Sequence, residues 1–125
     1  MRGRDPLEVV DAYLDAIAAH DDEGARACLS DGDFAFQSPI ASFASADELM
    51  LHTALSAGIL QRIERVKVFV DGVDVCHFLD MVVQISEKQS VRVAHWARVR
   101  DGRIVRIEAV FDASLYRTLF EPAPV

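Results

Sequence analysis

The stretch RIERVKVFVDGVDVCHFLDMVVQI, residues 62–85, decides the fold. Two runs rich in Val, Ile and Phe flank Asp71-Gly72, a pair that readily takes the left-handed backbone of a tight hairpin turn. The segment VRVAHWARVRDGRIVRIEAVFD, residues 91–112, repeats the pattern around Asp101-Gly102. With Ser86–Gln89 as a longer turn between them, the chain is expected to form four strands, roughly 62–70, 73–85, 90–100 and 103–112, in an antiparallel meander.

Register decides which side chains share a face. A tight turn at Asp71-Gly72 pairs Val68 with Val75 and Val66 with His77. A tight turn at Asp101-Gly102 pairs Trp96 with Ile107, Ala94 with Ala109 and Arg92 with Phe111. A four-residue loop at Ser86–Gln89 sets Leu79 against Trp96, Met81 against Ala94 and His77 against Arg98. The concave face then carries Val66, Val68, Val75, His77, Leu79, Met81, Trp96, Ile107, Ala109 and Phe111, with Arg92 and Arg98 near strand ends. The opposite face carries Phe78, Val82, Val91, Val93 and Val110 together with Asp80, His95 and Glu108. A one-residue error in the loop would exchange the faces for half of the sheet.

Upstream, the periodicity changes to helical. Leu7, Val10, Leu14 and Ile17 form one stripe, preceded by Asp5, Pro6 and Glu8 in the order of a helix start. This helix is expected to run to about Ala19, and a short second helix from about Asp22 to Leu29. Phe34 to Gln37 reads as a strand that Pro39 ends. Ser45-Ala46-Asp47-Glu48 is a second capping box, opening a third helix that Gly58 stops near Ala57. Asp112 reads as a strand terminator or as a cap for the segment 113–120, with a loose tail over 121–125. Helices first and strands after give an α+β class.

Length and composition bound the rest. At 125 residues the expectation is one domain over 1–125, and 51% hydrophobic against 26% charged residues excludes a disordered chain. Thirteen basic against 20 acidic residues give a net charge of −7, which disfavours nucleic acid as a partner. No membrane-length apolar run and no signal-peptide pattern occurs, so a cytoplasmic location is expected. Cys28 and Cys76 have no metal-ligand spacing and read as buried thiols. No phosphate-cradling glycine loop, zinc-binding helix or nucleophile elbow is present, so neither cofactor nor metal is expected. The outer apolar face predicts a homodimer.

The order of elements, together with Val9-Val10-Asp11-Ala12-Tyr13-Leu14, His20-Asp21-Asp22-Glu23-Gly24, Ser30-Asp31-Gly32-Asp33-Phe34, Gln37-Ser38-Pro39, His95-Trp96 and Gly102-Arg103-Ile104-Val105 leading to Glu108-Ala109-Val110-Phe111-Asp112, resembles the NTF2-like superfamily. Within it the chain looks most like the ketosteroid isomerase and SnoaL-like polyketide cyclase branch. The resemblance covers nearly the whole chain. It implies a cone-shaped barrel, three helices packed on a curved and mainly antiparallel sheet, around a pocket for a hydrophobic small molecule. It also implies that Tyr13 takes the place of the tyrosine that hydrogen-bonds a developing oxyanion. Ser38, before Pro39, stands where steroid isomerases carry their aspartate base. Ala94 stands where they carry a protonated aspartate, and Ala109 where superfamily epoxide hydrolases continue an Asp-Arg-Asp network.

The expected activity is therefore proton-transfer chemistry on a hydrophobic carbonyl compound (isomerisation, dehydration or cyclisation), with a non-catalytic ligand-binding or dimerising module as the alternative. Tyr13, His77 and His52 are the candidate catalytic residues. His77 is read either as a pocket base or as a core histidine bonded to a carbonyl or to Tyr13. His52 is read either as pocket-lining or as an exposed helix residue. Ser38, Leu79, Met81, Trp96, Ala94, Ala109 and Phe111 are the candidate substrate-binding residues. Asp80, His95 and Glu108 are expected to line up across three strands of the outer face, as an ion-pair ladder or an acid–base cluster.

Overall fold

The structure is a computed structural model that describes residues 5–84 and 87–114. Helix α1 spans Pro6–Ala18, α2 spans Asp22–Ala27 and α3 spans Ala46–Ser56. Strands β1 (Ala35–Gln37), β2 (Ser42–Phe43), β3 (Leu60–Asp71), β4 (Asp74–Gln84), β5 (Lys88–Arg100) and β6 (Arg103–Val110) form one sheet in the order β2-β1-β6-β5-β4-β3. All neighbours are antiparallel except β1 and β6, which run parallel with Phe36 beside Ile107. The sheet is open and curved, with the helices on its concave side. Three register shifts bend it: two in β3, at Leu60/Arg62 and Arg65/Lys67, and one between β5 and β6 at Arg98/Val99.

Most helix signals hold. Pro6 opens α1, although Asp5 forms no side-chain cap bond. Asp21 caps α2, its Oδ1 accepting from Gly24 N at 3.0 Å. Ser45 caps α3, with Oγ accepting from Glu48 N at 3.2 Å and donating to Glu48 Oε1 at 3.1 Å. A 3-10 turn over Ala57–Ile59 carries α3 into β3. Asp101 and Gly102 both have positive φ, 53° and 76°, so this hairpin turn lies where expected. The other turn moves by one position. Asp71 pairs with Asp74 across Gly72-Val73, so Val68 faces His77 and Val70 faces Val75. Val66 and Val68 both remain exposed rather than joining the core. Strand β2 carried no legible signal, and the segment expected as a C-terminal helix lies, from residue 115 onward, outside the described residues.

The central correction concerns β4 and β5. Gln84 pairs with Lys88, and Leu79 therefore faces Val93, three residues before Trp96. An odd displacement reverses the faces of β5. Trp96, Ala94, Arg92 and Arg98 thus lie on the outer face, while Val91, Val93, His95, Ala97 and Val99 point inward. On β6, an extra residue between Ile104 and Arg106 adds a one-residue shift, so that Trp96 pairs with Glu108 instead of Ile107. The two odd errors cancel there, and Ile107 and Ala109 face inward as expected.

Trp96 is fixed on the outer face by polar contacts. Its Nε1 donates to Asp74 Oδ1 at 2.9 Å, and the guanidinium carbons of Arg98 and Arg106 lie 5.8 and 5.1 Å from its ring centre. The expected Asp80/His95/Glu108 ladder does not form. Asp80 binds Arg92, Glu108 accepts from Arg106 at 2.7 Å, and His95 sits on the opposite face.

The core packs α1 against the inward residues of β4, β5 and β6, with Val10, Leu14, Leu79, Ile104 and Ile107 almost fully buried. Leu79, expected in the pocket wall, is a core residue. Leu79→Ala should cost about 2–5 kcal/mol in denaturant unfolding, with ligand affinity per folded molecule unchanged.

Candidate functional site

A cavity of about 170 Å³ opens between α1, α3 and the concave face of the sheet. Its wall is mostly apolar: Leu14, Ile17, Phe36, Leu49, Met81, Val83 and Val93 are among the residues that form it. This is close to the size of an engineered apolar cavity, about 150 Å³, that admits benzene. Of the expected site residues, Tyr13, His52, Ser38, Met81, Ala109 and Phe111 line it. Trp96 and Ala94 do not, because β5 presents its other face. His77 and Leu79 do not, because both lie behind the wall, under α1.

Tyr13 and His95 form the polar part of the inner wall. Tyr13 projects from α1, and its ring stacks on that of His95 with centres 6.1 Å apart and planes inclined by 28°. Burial pushes the Tyr13 hydroxyl well above its ordinary range, with a smaller contribution from Cys28, so it stays protonated and can donate. Among the described residues it forms no hydrogen bond. His95 is 5% exposed. Burial first, and the neighbouring His77 second, push its pKa down to about 4, so the ring is neutral at pH 7. His95, expected on the outer face, is turned into the cavity wall by the observed β4–β5 pairing. The adjacent His95-Trp96 pair was visible, but only the register could say which ring faces the cavity.

His52 projects from α3 into the wall, its ring centre 5.3 Å from that of Phe43, and burial lowers its pKa. His20, in the turn after α1 with a φ of 57°, and Asp22 also line the cavity. Ser38 is occupied in a turn: its Oγ accepts from Ile40 N and Ala41 N, each at 3.2 Å, and donates to Ala41 O at 3.4 Å. A hydroxyl so engaged positions the loop before β2 and is no substitute for a carboxylate base.

His77 is 1% exposed, and its Nε2 lies 3.1 Å from Asp11 Oδ1 on α1. This core bond goes to a carboxylate, neither to a carbonyl nor to Tyr13. Arg65 holds Asp11 in turn, with Nε 3.4 Å from Oδ1 and Nη2 donating to the Asp11 carbonyl at 3.1 Å. Burial lowers the His77 pKa against the opposing pull of Asp11. No cluster of His, Cys, Asp and Glu among the described residues has the geometry of a metal site.

The two buried histidines make stability pH-dependent. Their folded pKa values lie below the unfolded value, so the unfolded chain binds more protons as pH falls. Stability should be complete above about pH 6.5 and decline toward pH 4, with His95 alone accounting for about 3 kcal/mol. Urea unfolding from pH 7 to 4 should show this loss in the wild type and a smaller loss in His95→Phe.

Comparison with known proteins follows the fold. Residues 10–107 match the SnoaL-like domain. No curated protein matches. An NTF2-like protein of unknown function from Cytophaga hutchinsonii is similar at 20% identity and a TM-score of 0.76, over 97% of this chain and 100% of that one. An LEH-like epoxide hydrolase from M. tuberculosis is similar at 18% identity and a TM-score of 0.76, over 94% and 96% of the two chains. A putative ketosteroid isomerase from Kribbella flavida is similar at 13% identity and a TM-score of 0.75, over 96% and 83%. Likeness at these identities establishes the shared architecture. With the family match spanning most of its length, the chain belongs to the SnoaL-like domain family, within the NTF2-like fold.

Proposed function

We propose that this protein binds a hydrophobic carbonyl compound in the cone cavity and moves a proton on it without a cofactor, as in isomerisation, dehydration or cyclisation. The carrying observation is the Tyr13–His95 pair, two polar rings side by side on the inner wall of a mostly apolar cavity. In this reading the Tyr13 hydroxyl donates to the carbonyl oxygen and stabilises the enolate as charge develops. The neutral imidazole of His95 accepts the proton from the adjacent carbon. His52, across the cavity on α3, is the candidate for returning it.

The test is hydrogen–deuterium exchange at the α-carbon of 2-tetralone in D₂O, followed by NMR. The wild type should accelerate exchange above the buffer rate. Tyr13→Phe should lose about 10²–10³-fold, the scale of one oxyanion donor, and His95→Gln should abolish the acceleration. Binding of the ketone without accelerated exchange would select the alternative, a ligand-binding module. The observation favouring that alternative is Ser38, which stands at the position of the family's carboxylate base and is consumed by a turn.

The reading includes a homodimer formed through the outer sheet face, in the cytoplasm. Phe69, Phe78 and Val110 are exposed on that face, at 54%, 39% and 58%. Val91 and Val93, expected there, point inward, so the proposed contact is narrower and centred on these three residues. Phe78→Asp should convert a dimer to a monomer in analytical ultracentrifugation while leaving 2-tetralone binding intact.

A further inference from the structure

His77 and His95 are direct partners across β4 and β5, on the same inward face. Both are nearly sealed, and in each the Nδ1 atom is buried without a hydrogen-bond partner. Two orphaned nitrogens in one core, on facing residues, are an uncommon arrangement, because buried polar groups are normally satisfied. Facing residues on one side of a sheet stand close enough for their rings to interact.

The tautomers follow from the partners. A carboxylate only accepts, so Asp11 Oδ1 fixes the proton of neutral His77 on Nε2. That leaves a lone pair on the buried His77 Nδ1. The matching donor is an Nδ1–H on His95, reached through one bridging water, since the two Nδ1 atoms do not bond each other directly. His95 would then hold its own lone pair on Nε2, the ring nitrogen left for the cavity.

We propose that Asp11, His77 and His95 form a proton relay, in which Asp11 and His77 are positioning residues that make Nε2 of His95 the proton acceptor of the cavity. This rests on the proton-transfer reading of the site. The proton leaving the ligand carbon binds His95 Nε2, the Nδ1 proton of His95 passes to the bridging water, and a proton of that water passes to His77 Nδ1. The Nε2 proton of His77 moves toward Asp11. One proton enters the chain and one shifts at each link, the electron pair stays on the ligand as an enolate facing Tyr13, and the reverse path returns the proton. The relay answers a physical difficulty: His95 is too deeply buried to keep a charge, whereas His77 lies against a carboxylate that is itself partly exposed.

The charged and titratable groups acting on the pair are few. Asp11 on α1 and Arg65 on β3 act on His77; Tyr13 on α1 and His77 on β4 lie against His95; Cys28 acts on Tyr13. Arg65 also donates to Asp15 at 2.7 Å, which ties the carboxylate side of the relay to the helix surface.

The test is the nitrogen NMR spectrum of the imidazoles at pH 7 in the wild type and in Asp11→Ala, Asp11→Asn and His77→Gln. Asp11 is partly exposed, so its variants should fold. The wild type should show His77 protonated at Nε2 and His95 at Nδ1. Asp11→Ala should move His95, which it does not touch, to a mixture with at least half Nε2–H. Asp11→Asn, which can still accept from His77, should retain the wild-type tautomers, and 2-tetralone exchange should fall at least tenfold in Asp11→Ala with binding unchanged. A wild-type His95 protonated at Nε2, or a His95 tautomer indifferent to Asp11→Ala and to His77→Gln, overturns the relay. Coupled tautomers in a protein that never accelerates ketone exchange would leave the relay standing and remove the proton-transfer function instead.

Discussion

The pairing of Gln84 with Lys88 sets the register on which the rest of the site depends. From that contact β4 and β5 run in step through the middle of the sheet, and every inward position of β5 follows: Val91, Val93, His95, Ala97 and Val99. A displacement by one residue would bury Arg92, Arg98 and Trp96 beneath α1 and expel the cavity wall to solvent. Burying two guanidinium groups without partners is prohibitively costly, so the hydrophobic pattern of β5 permits one face only. The same register brings His95 under Tyr13 and beside His77.

Much of this architecture was legible in the residues. The Asp101-Gly102 turn, the Ser45 cap, the Pro6 start and the valine-rich alternation gave the elements their order and nearly their ends. The alternation of β5, with Arg92, Arg98 and Arg100 on one side, marks its outer face, but the lengths of the irregular connections on either side of it leave no compositional mark. The β4–β5 connection differs from the assumed loop in its pairing, and the bulge before Arg106 inserts a residue in a run that looks regular. Each shifts register by an odd number, so Trp96 and Ala94 were assigned to the cavity and His95 to the outer face. Ile107 and Ala109 were placed correctly only because the two shifts compensate. His77 was correctly placed on the concave face, but its distance from the cavity depends on how α1 covers it, through Asp11, which no strand pattern reveals.

The site differs from the residue pattern that its family likeness brings to mind. The resemblance implies that Ser38 and Ala94 stand where relatives carry acids; Ser38 is tied into its own loop, and Ala94 lies on the outer face of the sheet. The polar groups on the inner wall of the cavity include a phenol kept protonated by burial and an imidazole kept neutral by burial. A neutral pair of this kind suits an uncharged ligand that develops negative charge on one oxygen, because neither ring carries a charge that must first be desolvated. The outer face carries a separate arrangement, Trp96 between two arginines with Asp74 and Glu108 beside them, next to exposed Phe69, Phe78 and Val110.

The central claim is that Tyr13 and His95 act together on one ligand oxygen and its neighbouring carbon. A double-mutant cycle on the affinity for 2-naphthol, a planar mimic of an enolate, tests it most directly. Tyr13→Phe and His95→Phe should each weaken binding at least tenfold, and the double variant should lose clearly less than the product of the two, because each group depends on the other's hold on the ligand. Affinities within twofold of the wild type in all three variants would contradict the account and leave the cavity an apolar box.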